Sequence, residues 1–149
     1  MTDSAADQRF LRQAIELSRR CPPSDAAFSV GAVLVGADGA VLAAGYSRES
    51  DPHDHAEEAA LAKVAGRPPP GATIYSSLEP CLRRLSRPRS CCDLIVAAGI
   101  TRVVLAWREP PIFVPGGGAA WLEARGVLVT EVPELAGEAQ AVNAHLLTG

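Results

Sequence analysis

A nearly unbroken run of apolar residues over positions 28–35 is the feature that most constrains the fold of this chain. Apolar residues at almost every position, rather than at alternate positions, predict a strand that is covered on both faces. The Asp38-Gly39 pair follows this run and tolerates the positive φ angles of a tight hairpin. We therefore expect the run to pair with a second strand over residues 41–47.

Helical and strand-like patterns alternate along the rest of the chain. Apolar residues recur at helical spacing near the N terminus and predict a first helix that ends before Pro22-Pro23. Further helices are predicted over 55–65, 91–98, 119–124 and 135–147, and further strands over 73–78, 103–107 and 127–132. This alternation after one hairpin favours a three-layer α/β/α sandwich with a mixed sheet of about five strands. A chain of 149 residues is expected to form one domain, residues 1–149.

The composition is that of an ordinary globular protein, with 48% apolar and 21% charged residues. A formal net charge of −3 does not provide the broad basic surface that binding to nucleic acid or an anionic membrane requires. The N-terminal residues lack the pattern of a secretion signal, and no apolar stretch is long enough to cross a bilayer. We expect a cytoplasmic protein that acts on a small molecule, with neither a nucleic-acid nor a membrane partner.

Side chains that bind metals lie at the ends of the predicted elements. His55 begins the second predicted helix, Cys81 follows the third strand, and Cys91 begins the third helix after Ser90, a suitable N-cap residue. Loops beyond the carboxyl ends of strands converge on a ligand crevice in such sheets. One imidazole and two thiolates, with a fourth position left to water, form a catalytic zinc site, whereas structural sites usually add a fourth protein ligand. These residues predict a Zn²⁺ site with His55, Cys81 and Cys91 as ligands.

Glu57 lies two residues after His55 and is not needed as a ligand. Zinc lowers the pKa of bound water to about 7, but an amino group leaves readily only after it has been protonated. A carboxyl group beside the metal can take a proton from the water and deliver protons to a ring nitrogen and to departing ammonia. We therefore predict Glu57 as the catalytic residue of a hydrolytic deaminase.

Each of these residues also has an ordinary structural interpretation. His53 offers a second imidazole at the same helix start, and buried cysteines are often small hydrophobic core residues. Glu57 can also be the third residue of a capping box that Asp54 begins. A non-catalytic, zinc-stabilised interaction protein is therefore the alternative from another class. The combination of His-Ala-Glu with a downstream Pro-Cys favours the metal site over these interpretations.

The order of these motifs resembles the cytidine-deaminase-like superfamily. The resemblance rests on His-Ala-Glu at 55–57, Leu-Glu-Pro-Cys at 78–81, and the Cys-Cys-Asp-Leu-Ile-Val-Ala-Ala-Gly-Ile segment at 91–100. The long spacing between the metal cysteines is similar to the deaminase domain of riboflavin-pathway (diaminohydroxyphosphoribosylaminopyrimidine) deaminases. By that match Cys91 rather than Cys92 is the zinc ligand. The resemblance also implies a homodimer or homotetramer.

The stretch before the first strand differs from the riboflavin-type pattern. Those deaminases have Pro-Asn-Pro there, whereas residues 26–28 are Ala-Ala-Phe, and Phe-Ser-Val-Gly-Ala at 28–32 resembles true cytidine deaminases. The riboflavin-pathway diaminopyrimidine nucleotide is the first expected substrate, and cytosine, cytidine, deoxycytidylate and guanine remain alternatives. A tRNA-editing adenosine deaminase is disfavoured by the acidic charge balance. Because no reductase segment follows, we expect a stand-alone deaminase that needs a separate reductase.

Two groups of residues are predicted to contact the substrate. Arg83, Arg84 and Arg87 lie between the metal cysteines, where guanidinium groups can bind a substrate phosphate in a bidentate manner. The alternative is a solvated, charged loop. Phe28 and Trp107 lie at strand ends near the expected crevice and can stack on a flat ring, although aromatic residues in such positions often serve core packing.

Overall fold

The computed structural model describes residues 4–82, 84, 87–113 and 116–147. The elements follow one another in an order that alternates helices and strands after an initial hairpin. They are α1 (Ser4–Ser18), β1 (Gly31–Val35), β2 (Val41–Tyr46), α2 (Ala56–Ala62), β3 (Thr73–Ser76), α3 (Cys91–Ala97), β4 (Arg102–Leu105), α4 (Gly118–Ala124), β5 (Leu128–Glu131), α5 (Ala136–Val142) and α6 (Ala144–Leu147). Among these described helices, none is both long and apolar enough to span a membrane.

The five strands form one mixed sheet in the order β2-β1-β3-β4-β5. Strand β1 is antiparallel to both of its neighbours, whereas β3, β4 and β5 run parallel to one another. All five residues of β1 are buried, as the unbroken apolar run predicts. The prediction of a mixed sheet of about five strands is confirmed.

Two glycines show how helices cover both faces of the sheet. A Cβ atom at Gly31 would lie 1.8 Å from the Ala14 carbonyl oxygen in α1, and one at Gly45 would lie 2.7 Å from the Ala56 carbonyl oxygen in α2. Ala32 is the register partner of Gly45, so Gly31 and Gly45 project from opposite faces of the sheet. Helices α1 and α2 therefore cover opposite faces, which makes the predicted three layers.

A buried ion pair joins α1 to the middle of the sheet. The Asp7 carboxylate accepts hydrogen bonds from Arg102 at 2.6 and 3.0 Å and from the Tyr75 hydroxyl at 2.7 Å. Burial opposes ionisation of Asp7, but the bonds from Arg102 and Tyr75 prevail and lower the pKa of this carboxyl group below its ordinary value. The contact ties α1 to the neighbouring strands β3 and β4.

Two predicted elements differ from the observed ones. The predicted strand over 28–35 begins only at Gly31: the Asn143 side chain bonds the Ser29 N–H, and Ser47, directly after β2, bonds Val30 through its hydroxyl and its backbone N–H. The predicted single helix over 135–147 is also wrong. It is divided at Asn143, whose φ of −109° and ψ of 19° end α5, and residues 133–135 form a separate 3₁₀ turn. Both differences involve tertiary contacts that the local pattern does not contain.

Candidate metal centre and active-site cavity

Three potential metal ligands converge beyond the carboxyl end of β3. The His55 Nδ1 atom lies 3.5 Å from the Cys81 Sγ atom and 3.3 Å from the Cys91 Sγ atom, and all three lie within 4.8 Å of one another. A tetrahedral zinc ion with bonds of 2.0–2.3 Å separates its ligand atoms by roughly 3.3–3.8 Å. The donor set and its spacing therefore fit a zinc ion.

Local helix-start signals place two of these ligands. His55 is the N-cap residue of α2, and Cys91 is the first residue of α3. Ser90 caps α3 as predicted. Its hydroxyl accepts a hydrogen bond from the Asp93 N–H at 3.1 Å, and the Asp93 carboxylate accepts one from the Ser90 N–H at 3.1 Å. The two helix starts thus hold the imidazole and one thiol at the edge of the sheet.

The sulfur atoms of the adjacent cysteines Cys91 and Cys92 have different surroundings. The Cys92 Sγ atom lies 3.4 Å from the Pro80 carbonyl oxygen and 3.8 Å from that of Gly118, outside the group of three ligands. A Cβ atom at Gly118 would lie only 2.1 Å from the Pro80 carbonyl oxygen, so α4 packs closely there. The geometry agrees with the choice of Cys91 over Cys92.

Glu57 is buried beside the ligands, with 3% of its surface exposed. The Ser76 hydroxyl donates a hydrogen bond to the Glu57 Oε2 atom at 3.2 Å. The capping interaction of α2 uses the next residue, because Glu58 accepts the hydrogen bond from the His55 N–H at 3.3 Å. The alternative in which Asp54 and Glu57 form a capping box is therefore wrong.

The electrostatics of the site shift the pKa values of the Glu57 carboxyl group and the Cys81 thiol in opposite directions. Burial, and then the nearby Cys81 thiolate, raise the pKa of Glu57 above its ordinary value. The hydrogen bond from the Cys91 thiol, together with the His55 ring, lowers the pKa of Cys81 to about 4. Cys81 is thus available as a thiolate, the form that binds metals.

A cavity of about 480 Å³ opens directly over these groups. This volume is within the range of small-molecule sites. Its polar wall includes His55, Glu57, Cys81, Arg84 and Glu109, and its apolar wall includes Phe28, Val30, Leu78 and Phe113. A flat, polar ring can therefore lie between an apolar wall and the candidate metal ligands.

The aromatic residues near the cavity form a row. The Phe28 ring lines the cavity and meets the rings of Trp107 and Phe113 edge-on, with centroid distances of 5.4 and 5.1 Å. Trp107 is not among the described residues that line the cavity. In this structure it packs against the Phe28 ring instead. The sequence patterns did not single out Phe113.

The predicted arginines occupy different places. Arg84 lines the cavity, where its Nη2 atom donates to the His53 carbonyl oxygen at 2.7 Å and to Glu58 at 3.2 Å. Arg87 instead forms ion pairs with the carboxylates of Asp51, Asp54 and Glu58, all at 3.2–3.3 Å. These pairs fasten the loop between the metal cysteines to the start of α2. Arg83 lies outside the described residues.

Glu109 is a cavity residue that the sequence patterns did not single out. Its backbone N–H donates to the buried Glu79 carboxylate at 2.9 Å, and Glu79 also accepts the Ala119 N–H at 2.7 Å. No described residue donates a hydrogen bond to the Glu109 carboxylate itself. Burial, followed by the negative charges of Cys81, Glu57 and Glu79, raises the pKa of Glu109 to about 8. Its place just after the predicted strand over 103–107, at the carboxyl edge of the sheet, is the sequence signal that could have indicated it.

The raised pKa of Glu109 predicts a pH-dependent effect of Glu109→Gln on stability. The folded state holds the Glu109 proton up to about pH 8, whereas a free glutamate loses it near 4.5. Ionised Glu109 therefore disfavours the fold increasingly from about pH 4.5 to 8, and glutamine removes this cost. Solvent in the cavity weakens the effect, so we expect a gain of about 2–4 °C in Tm at pH 9 and no gain at pH 4.5.

Thermal unfolding at both pH values measures this difference. Glu123, which is exposed on α4, offers the control Glu123→Gln, which should leave Tm unchanged at both pH values. An equal gain from Glu109→Gln at pH 4.5 and pH 9 would contradict ionisation of Glu109 as the cause.

The α/β/α sandwich brings together one imidazole, two cysteine sulfurs and a buried carboxyl group at the carboxyl edge of its sheet. This combination defines the class of zinc-dependent hydrolytic sites. The matching family model has the description "cytidine and deoxycytidylate deaminase zinc-binding region" and covers residues 4–107. The chain belongs to this family. The predicted superfamily resemblance and zinc cofactor are therefore confirmed.

The proteins similar to this chain include two relatives and one solved structure with related names. The diaminohydroxyphosphoribosylamino-pyrimidine deaminase of Schizosaccharomyces pombe is 41% identical over 128 residues, which are 83% of this chain and 31% of that protein. The protein of the same name from Buchnera aphidicola subsp. Acyrthosiphon pisum is 31% identical over 80% of each chain. Acinetobacter baumannii RibD superposes with a TM-score of 0.82 and 30% identity, over 96% of this chain and 39% of its own. This chain thus spans about a third of the S. pombe protein.

Proposed function

We propose that this chain catalyses the zinc-dependent hydrolytic deamination of an aminopyrimidine, and that the substrate is the diaminopyrimidine nucleotide of the riboflavin pathway. The observation that carries the proposal is the position of Glu57, buried in the cavity wall with the candidate ligands His55 and Cys81. A purely structural zinc site has no use for a carboxyl group there. The names of the relatives support the choice of substrate.

The proposed reaction exchanges the amino group of the ring for the oxygen of water and releases ammonia. Zinc held by His55, Cys81 and Cys91 would supply the Lewis acid that makes water nucleophilic near neutral pH. Glu57 moves both protons of the water in turn: its carboxylate takes the first and passes it to the ring nitrogen, then takes the second from the hydroxyl group added to the ring carbon and passes it to the amine, which leaves as ammonia when the C–N bond breaks. The hydrogen bond from Ser76 to Oε2 fixes the carboxyl group for this shuttle.

The cavity wall suggests how the substrate is bound. Phe28 provides a flat surface for the ring, backed by Trp107. Among the predicted arginines that the structure describes, Arg84 lines the cavity, and we propose it as the phosphate ligand. Roles of Arg83 and Arg87 in phosphate binding remain predictions. We also propose a single domain over residues 1–149 that acts in the cytoplasm as a homodimer or homotetramer, by its resemblance to the superfamily.

Ammonia release from a substrate panel tests the proposed function. The panel contains the riboflavin-pathway diaminopyrimidine nucleotide, cytidine, deoxycytidylate, cytosine and guanine. We expect the diaminopyrimidine nucleotide to have the highest kcat/KM. Glu57→Gln protein from the same purification controls for contaminating deaminases. A higher kcat/KM for another compound would reassign the substrate. No ammonia release from any compound of the panel would contradict the enzymatic proposal.

The position of Arg84 predicts a phosphate-specific effect of Arg84→Met. Loss of a charge-assisted hydrogen bond is expected to raise KM for the nucleotide about 10- to 100-fold, with little change in KM for the dephosphorylated compound. Arg87→Met is the matched control, because Arg87 is paired with three carboxylates. Steady-state kinetics on both forms of the substrate measure the contrast. Equal changes in KM for the two forms would show that Arg84 does not bind the phosphate.

A further inference from the structure

The segment that carries Phe28 is bonded to a residue near the other end of the chain. The Ser29 N–H donates to the Asn143 Oδ1 atom at 2.6 Å, and the Asn143 Nδ2 atom donates to the Ser29 carbonyl oxygen at 3.0 Å. Both residues are buried, with 7% and 2% of their surfaces exposed. The amide of Asn143 thus pairs with the backbone of Ser29 as a neighbouring strand would.

The Arg48 side chain also holds the segment that carries Phe28. Arg48 donates to the Phe28 carbonyl oxygen at 3.2 Å, to the Ser29 hydroxyl at 2.8 Å, and to the Pro22 carbonyl oxygen at 2.8 and 3.1 Å. The φ angle of Arg48 is +60°, a left-handed conformation that a non-glycine residue rarely adopts. Such a conformation persists where the surrounding contacts determine it.

These contacts fix the position of one aromatic side chain in the cavity. Phe28 precedes β1, so the sheet ladder does not hold its backbone, and the bonds from Arg48 and Asn143 take the place of that ladder. Asn143 is not among the described residues that line the cavity. It lies outside the segment that the family model matches, and it is the residue at which α5 ends. Its side chain therefore reaches the cavity indirectly, through Ser29 and the cavity residues Phe28 and Arg48 next to it.

We infer that Asn143 is a positioning residue, which holds Phe28 against the substrate ring and so determines the affinity for the substrate. The inference rests on the proposed function. An asparagine amide suits this position because it offers one acceptor and one donor, the complement of a backbone N–H and C=O pair. Aspartate keeps the acceptor but loses the donor, and alanine loses both.

Kinetics and hydrogen exchange of Asn143→Ala and Asn143→Asp test the inference. For the alanine variant we expect unchanged zinc content, faster exchange of the Ser29 amide, KM raised about 10- to 100-fold and kcat within about threefold of wild type. The aspartate variant turns a carboxylate oxygen toward the Ser29 and Ala139 carbonyl oxygens that the amide now bonds, so its KM should rise at least as much as that of the alanine variant. Slow exchange of the Ser29 amide in the wild-type protein tests the contact if a variant does not fold.

Asp7→Asn separates positioning from a general loss of stability. It weakens the buried ion pair with Arg102 without touching Ser29, so we expect a lower Tm and an unchanged KM. A rise in KM for Asp7→Asn as large as that for Asn143→Ala would overturn the inference, as would an unchanged Ser29 exchange rate or an unchanged KM in the Asn143 variants. Inactive wild-type protein would refute the proposed function instead, whereas the exchange measurement needs no activity.

Discussion

Replacing Glu57 by glutamine is expected to leave the zinc content unchanged and to lower kcat for deamination by a factor of about 10²–10⁴. Glutamine has nearly the shape of glutamate and can still accept the hydrogen bond that Ser76 donates to Glu57. It cannot take up or release a proton at neutral pH. Because Glu57 is buried beside the ligands rather than among them, its removal should affect the chemical step and not the metal.

Glu58→Gln is the matched control for this substitution. Glu58 is the next residue of the same helix, but its carboxylate faces His55 N–H and the arginines Arg84 and Arg87. Glutamine retains the acceptor for His55, so we expect zinc content and kcat close to those of the wild type. Metal analysis and ammonia release measure both variants. Undiminished turnover in Glu57→Gln would refute the shuttle, and loss of zinc from it would show a structural role for the carboxyl group.

The sequence predicts best those parts of the fold and site that depend on neighbouring residues. The start of α3 follows from the Ser90 capping pattern and that of α2 from a run of helix-forming residues, and these starts carry Cys91 and His55. The hairpin of β1 and β2 follows from an apolar run and an Asp-Gly turn. Because the ligands lie at such boundaries, the metal centre could be predicted almost completely.

The remaining parts of the site depend on contacts between distant segments. Glu109 reaches the cavity because Glu79 binds its backbone N–H across 30 positions, and Ser29, next to Phe28, is bonded by Asn143 across 114. Arg87 has the same side chain as Arg84, yet carboxylates around Asp54 attract it away from the cavity wall. No local pattern contains these partners. The sequence therefore indicates aromatic and charged residues near the site, but it does not show which of them contact the cavity.

The second large effect is expected from Cys91→Ser, which should lose both zinc and deaminase activity, whereas Cys92→Ser should retain both. A serine hydroxyl stays protonated at neutral pH and is a poor substitute for a thiolate ligand. At position 92 it can still donate to the Pro80 carbonyl oxygen, which the Cys92 sulfur now contacts at 3.4 Å. Metal analysis after dialysis against a chelator, followed by the ammonia assay, measures both properties.

This pair of variants is a strict test because Cys91 and Cys92 share the same burial and the same helix turn, each with 0% of its surface exposed. Successive residues of a helix project about 100° apart, so only the direction of the sulfur distinguishes the two. A general effect of a polar group in the core would reduce zinc and activity in both variants alike. Zinc retained by Cys91→Ser, or lost equally from both, would refute the assignment of His55, Cys81 and Cys91 as the ligands.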